Sequence, residues 1–154
     1  MRPAVTRSLW TSPPDRLVVG AHRGLGGGGP ENTLDAARHA FRLGVDFVEA
    51  DLRATADDVA VVLHDPTFAR VAGDRRAVAE IDLATALRLK PDLPTVAAMI
   101  DVAMAHDGAL LLDTKLGEPA VLARAIAPLA AWLGDGRTAF GVRSLDAARA
   151  VAAI

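Results

Sequence analysis

Four short apolar runs, each separated from the next by helix-forming sequence, constrain this chain more than any other feature. They are Leu17 to Ala21, Val45 to Leu52, Ala109 to Asp113 and Thr138 to Val142. Runs of this length, rich in valine and leucine, read as strands. Strands that alternate with helices through short connections dictate a parallel sheet, so the expected fold class is α/β.

Taken in order, the first run ends at His22-Arg23 and passes into a glycine-rich loop, Leu25 to Gly29. Pro30-Glu31-Asn32-Thr33 then opens a helix whose Leu34, Ala37 and Phe41 share one face, and Gly44 supplies its stop. The turn Ala56-Asp57-Asp58 sends the second strand back as Val59 to Leu63, a hairpin over residues 46–64. Residues 66–76 read as an irregular surface loop. Helical patterns at Ile81 to Leu89 and Thr95 to Ala105 flank a break at Pro91 and Pro94. Pro128 kinks the helix expected over Glu118 to Leu133, or ends its first half. Ser144 caps a last helix that runs to the chain end. Residues 1–15 read as an N-terminal arm and 16–154 as one domain, long enough to bury a core.

Composition removes several function classes. The net charge of −2 provides no field for a polyanion, so nucleic acid is not an expected partner. The chain has no cysteine, which excludes disulfides, thiolate metal sites and cysteine nucleophiles. No apolar run reaches the roughly 18 residues of a membrane span. The N-terminus lacks an apolar core of signal-peptide length, so a cytoplasmic location is expected.

The candidate chemistry sits at the ends of the strands. Glu49 and Asp51 are two apart on a strand and project from one face. Two carboxylates that close raise each other's pKa unless a cation lies between them, and a hard divalent ion, Mg²⁺ or Ca²⁺, suits oxygen ligands. A solvated edge strand gives the same spacing. Asp113 and Lys115 repeat the pattern on the third strand, as a third oxygen ligand and a cation for a phosphate oxygen, or as a surface ion pair. His22 and His64 each close an apolar run, where parallel α/β folds gather reactive groups. The two suit general acid–base work near neutral pH, although a lone histidine there is as often structural. His39 and His106 lie in helical patterns and read as structural or surface residues. Arg23 offers a phosphate-matching fork, and Glu31 and Asn32 read either as site residues or as helix-opening ones.

Together the blocks HRG, PENT, VEADLRAT and VVLHD resemble the glycerophosphodiester phosphodiesterase family, whose pattern is H-R-G, P-E-N-T, E-x-D, a T-x-D-G turn and v-v-x-H-D. The later LPTVAAMIDVA, LLDTK and FGVRSLDAARAV extend the likeness over roughly residues 18–154. The resemblance implies a (β/α)8 barrel, of which this chain holds about the first four β/α units plus the hairpin after strand two; the barrel as a whole takes about 250 residues. It implies His22 and His64 as the acid–base pair and Glu49, Asp51 and Asp113 as ligands of a divalent cation, Mg²⁺ or Ca²⁺. Arg23 and Lys115 fall on phosphate-contacting positions, with Glu31, Asn32 and Asp65 in support. The implied reaction is hydrolysis of a small-molecule glycerophosphodiester to sn-glycerol 3-phosphate and an alcohol. The alternatives are a non-catalytic remnant of that enzyme, or a half-barrel that works only as an oligomer, self-associating through open sheet edges. Three departures from the family pattern stand out: Asp113 in place of a glutamate, Asp58 in place of the turn glycine, and the run Gly26 to Gly29.

Overall fold

The computed structural model describes residues 9–10, 16–24, 30–133 and 136–154. Most of the expected arm at 1–15 and the glycine run through 25–29 lie outside the described residues. Five strands form one sheet: β1 (Gly20–His22), β2 (Phe47–Ala54), β3 (Ala60–Val62), β4 (Ala109–Thr114) and β5 (Thr138–Gly141). Their order is β1-β2-β4-β5, all parallel, with β3 paired antiparallel to β2. The expected α/β class, with four parallel strands and one hairpin, is what the chain forms.

Strand periodicity divides β2 into two sets. Val48, Ala50, Leu52 and Ala54 are buried in the main core, and Leu110 and Leu112 of β4 join them with Ala21 of β1. The helices α1 (Leu34–Arg42), α4 (Val96–Ala105), α5 (Pro119–Ile126) and α7 (Leu145–Ala152) supply Ala37, Phe41, Met99, Ile100, Leu122, Ile126 and Ala147 to the same core. The alternate positions, Glu49, Asp51 and Arg53 on β2 with Leu111 and Asp113 on β4, face the other way. The apolar half of each strand is thus committed to helix packing, which leaves the polar half to build a site.

The caps follow the sequence. Thr33 Oγ1 accepts from the Ala36 amide, Thr95 from Ala98, and Ser144 from Ala147. Pro128 lies in a 3₁₀ turn, Ala127–Leu129, that separates α5 from the four-residue α6 (Ala130–Leu133). The helix expected from Ile81 begins at Leu83, as α3 (Leu83–Leu89), because Asp82 caps it through the Thr85 amide.

Two expectations are corrected. Leu17 to Ala21 is not a buried strand: Leu17 is 88% exposed, and the ladder starts only at Gly20, opposite Phe47. The chain enters the sheet through a polar clamp instead, in which the buried Asp46 carboxylate accepts from the Val19 amide and from Arg16. Nor are residues 66–76 only a surface loop. Phe68 is fully buried with Val61, Leu63, Val78, Ile81, Ala86 and Leu93 in a second apolar cluster under the hairpin. It seats a one-turn helix, α2 (Ala69–Ala72), that Gly73 ends at φ 70°.

Candidate active site

The turn after β1 builds one wall of the site. His22 closes the strand opposite Glu49. The next two residues, Arg23 (φ 52°) and Gly24 (φ 78°), are both left-handed and reverse the chain. Gly24 is required twice over, by its φ and because a Cβ there would meet Ala36 backbone at 2.9 Å. The turn aims the Arg23 amide at Glu49 Oε2, 3.0 Å away, and puts its guanidinium Nε 3.1 Å from Asp51 Oδ2.

Thr33 takes the cap of α1, which frees Asn32 for something else. At φ 57°, Asn32 is turned inward and buried: its Nδ2 donates to Asp51 Oδ2 at 2.7 Å, and its Oδ1 accepts from the Asp51 amide at 3.2 Å. Asp51 is only 1% exposed. Burial pulls its pKa upward, but the bonds from Asn32 and Lys115 outweigh that and hold it below the usual carboxylate range.

Register supplies the third carboxylate. Asp51 pairs with Asp113 across β2 and β4, so Glu49, Asp51 and Asp113 share one face. One oxygen of each lies within 4.8 Å of the others. Gly141 on β5 makes room, since a Cβ there would approach Asp113 Oδ1 to 3.2 Å. The Lys115 ammonium bridges this pair: it stands 3.0 Å from Asp51 Oδ1 and donates to Asp113 Oδ2. Those contacts lift the lysine above its ordinary pKa against the opposing pull of burial. Glu49 is different. Burial raises its pKa, the neighbouring Asp51 and Asp113 raise it further, and the Arg23 amide and His22 at 3.9 Å only partly offset them.

His64 follows the hairpin strand β3. Its Nδ1 is 2.8 Å from Asp65 Oδ1, so its neighbour fixes the ring. Three further arginines reach the site. Arg53 Nε and Nη2 donate to the His64 carbonyl at 3.0 and 2.7 Å, and Nη1 donates to the Lys115 carbonyl at 3.4 Å. Arg143, just past β5, donates to Asp113 Oδ2 at 3.1 Å. Arg70 of α2 bonds Asp65 and Glu31. Arg53 was legible in principle, since it is two residues beyond Asp51 on the same face; nothing in the sequence announces Arg70. His106, in contrast, stacks on Phe41 with ring centroids 5.7 Å apart, away from this group.

Three clustered carboxylates, one of which keeps a raised pKa, fit a hard divalent cation: the donors are all oxygen, and Asp51 Oδ1 is buried without a well-aligned hydrogen bond. The model of the glycerophosphoryl diester phosphodiesterase family matches residues 22–123, which include nearly every residue just described. The chain belongs to that family.

Its relatives agree. The family member glycerophosphodiester phosphodiesterase 1 of Bos taurus is 30% identical over 116 residues, covering 67% of this chain and 35% of its own. A glycerophosphodiester phosphodiesterase of Bacillus subtilis is 40% identical over 57 residues, 37% of this chain and 20% of its own. Among solved structures, an Oleispira antarctica phosphodiesterase in complex with the product sn-glycerol-3-phosphate superposes with a TM-score of 0.74 at 23% identity, over 90% of this chain and 62% of that one. The Thermotoga maritima family enzyme superposes at 0.69, over 81% and 54%. This family member therefore spans about a third of the bovine relative and about three fifths of the Oleispira one, and its sheet is part of the barrel of the solved relatives. Among the described residues, no helix is long and apolar enough to cross a membrane.

Proposed function

We propose that this chain carries the acidic and acid–base groups for divalent-cation-dependent hydrolysis of a glycerophosphodiester to sn-glycerol 3-phosphate and an alcohol. The observation that carries the reading is the shared face: Glu49, Asp51 and Asp113 converge within 4.8 Å beside His22, and His64 is held by Asp65. Family membership, and the sn-glycerol-3-phosphate bound to the Oleispira relative, support the substrate class.

Glu49, Asp51 and Asp113 would hold the cation, Mg²⁺ or Ca²⁺, which when bound polarises phosphoryl oxygens. The protein's own groups do the rest. Of His22 and His64, one takes a proton from the attacking water and the other gives a proton to the departing alkoxide, so a P–O bond forms to the water oxygen as the P–O bond to the alcohol breaks. Arg23 and Lys115, the cations that stand beside Asp51, would bind phosphate oxygens. Asn32 and Glu31 hold Asp51 and Arg23 in place.

The test is hydrolysis of glycerophosphocholine by the folded chain with Mg²⁺ or Ca²⁺. Product formation abolished by EDTA is expected; a folded sample that yields no EDTA-sensitive product overturns the proposal. A second reading has the sheet completed by self-association. It is favoured by the strand order, in which β1 and β5 each have one partner among the described residues. Light scattering across a dilution series separates the two, because under this reading turnover falls with the assembly.

A further inference from the structure

The histidine arm and the carboxylate arm of this site belong to different parts of the chain. Asp51 and Asp113 sit in the centre of the sheet, whereas His64 follows β3, a three-residue strand laddered to β2 and bridged once, from Val61 to Thr95, on its other side. Arg53 fixes the backbone of His64 through its carbonyl but does not touch the imidazole. The ring is held by Asp65 Oδ1, and the other oxygen of that carboxylate accepts from Arg70 Nε at 2.5 Å.

Arg70 reaches in a second direction too. Its Nη2 donates to Glu31 Oε1 at 2.7 Å. Both Glu31 oxygens accept from Arg23 Nη1, at 3.2 and 3.1 Å, and Arg23 Nε lies 3.1 Å from Asp51 Oδ2. A continuous line of contacts thus runs His64–Asp65–Arg70–Glu31–Arg23–Asp51, with charge alternating from Asp65 onward. Arginine suits its middle position because Nε and Nη2 of one rigid plane serve two carboxylates at once, which a lysine ammonium on a flexible stem does not. The base of the side chain is also fixed, since α2 is anchored by the fully buried Phe68 and closed by Gly73.

Resting on the proposed reaction, we infer that Arg70 is a positioning residue, a two-pronged staple that joins the Asp65–His64 pair to the Glu31–Arg23–Asp51 group and so sets the imidazole relative to the carboxylates. It touches no reacting atom in this role. The low pKa values of Asp65, set first by its bond from Arg70, and of Glu31, where bonds from Arg70 and Arg23 outweigh burial, keep both carboxylates ionised for the staple.

The experiment compares R70Q and R70K with the unmodified full chain. Arg70 is half exposed, so neither substitution opens a core cavity. The first readout needs no catalysis: long-range ¹H–¹⁵N NMR of His64, assigned with H64Q, at a pH where the nitrogen shifts show the neutral ring. The unmodified chain should show mainly the Nδ1–H tautomer that donates to Asp65. R70Q should lower the Nδ1–H to Nε2–H ratio by about fivefold or more, and R70K should restore little of it, since a lysine supplies the charge without the fork. The second readout is turnover of glycerophosphocholine, for which kcat should fall by about 10- to 100-fold with KM within about twofold. An unchanged tautomer ratio in R70Q, full rescue by R70K, or a loss confined to KM each overturns the staple. A chain that never hydrolyses the diester overturns the proposed reaction instead, and the tautomer ratio still decides whether Arg70 orients His64.

Discussion

Asn32→Ala isolates the energetics of the buried carboxylate on which the site depends. Asn32 makes two bonds with Asp51, one of them to the ionised carboxylate, and Asp51 is essentially without solvent. A hydrogen bond to a charged group contributes about 1.5–3 kcal/mol and a neutral one about 1 kcal/mol. The left-handed backbone at φ 57° adds about 1 kcal/mol when alanine replaces asparagine. The variant should therefore lose about 3.5–5 kcal/mol. With a urea m-value of about 2 kcal/mol/M, its midpoint falls by about 1.8–2.5 M. Asn32→Gly, which loses the same bonds without the conformational cost, should recover about 1 kcal/mol of that.

The sign of the pH dependence follows from Asp51. Its folded pKa lies below the unfolded value, so its contribution to stability is complete above the unfolded pKa and is lost as pH falls through the folded one. The Asn32→Ala penalty should be full at neutral pH and shrink in acid as pH falls through the lowered folded pKa, where a protonated Asp51 no longer needs the bond. Urea titrations at neutral and acid pH measure it. A variant within about 0.5 kcal/mol of the parent at neutral pH, or a penalty that stays constant into acid, refutes the assignment of Asn32 to Asp51.

The remaining predictions concern the cation and the turn. Glu49→Gln should raise the Tm of the cation-free chain by about 2 °C, since a carboxyl whose folded pKa is raised loses stability as pH climbs through that range, while the Tm gain on adding Mg²⁺ or Ca²⁺ disappears. Lys115→Met should tighten cation binding by about tenfold or more, read by calorimetry, because it removes a competing charge beside Asp51 and Asp113, and should lower turnover at saturating cation. Weaker cation binding in that variant would show that the lysine is not a competitor. Gly24→Ala should cost about 2–4 kcal/mol in urea denaturation, from φ 78° and the 2.9 Å approach to Ala36; a neutral effect would mean the turn relaxes freely.

How far the site could be read beforehand depended on whether one strand or several elements specify a residue's position. Glu49 and Asp51 were legible because a period of two places them on one face whatever the rest of the fold does. That Asp113 stands beside Asp51 requires the β2–β4 register, which spacing along the chain does not contain. Asn32 looked as good a cap as Thr33; the left-handed backbone at Asn32 decides between them. Leu17 read as strand because it is apolar, but the Asp46 clamp ties down the chain just before the ladder and leaves that side chain in solvent. Arg70 and its one-turn helix depend on Phe68 finding a pocket beneath the hairpin, a tertiary event with no periodic signature.

The charge arrangement also bears on how the chain tolerates its own site. Three carboxylates in one half-buried group would repel each other strongly without compensation. Asp51 is neutralised by Arg23 and Lys115, and Asp113 by Lys115 and Arg143. Glu49 receives only a backbone amide and a histidine at 3.9 Å, and it is the carboxylate whose pKa rises. The group is therefore charge-balanced on one side and electron-rich on the other. Under the proposed reaction, a divalent cation held by Glu49, Asp51 and Asp113 would compete with the Lys115 ammonium for Asp51 and Asp113, and a phosphodiester anion would be the partner left to the ammonium. The same lysine that weakens the cation in the free protein would strengthen the phosphodiester in the loaded one, and so Lys115→Met should shift the two affinities in opposite directions.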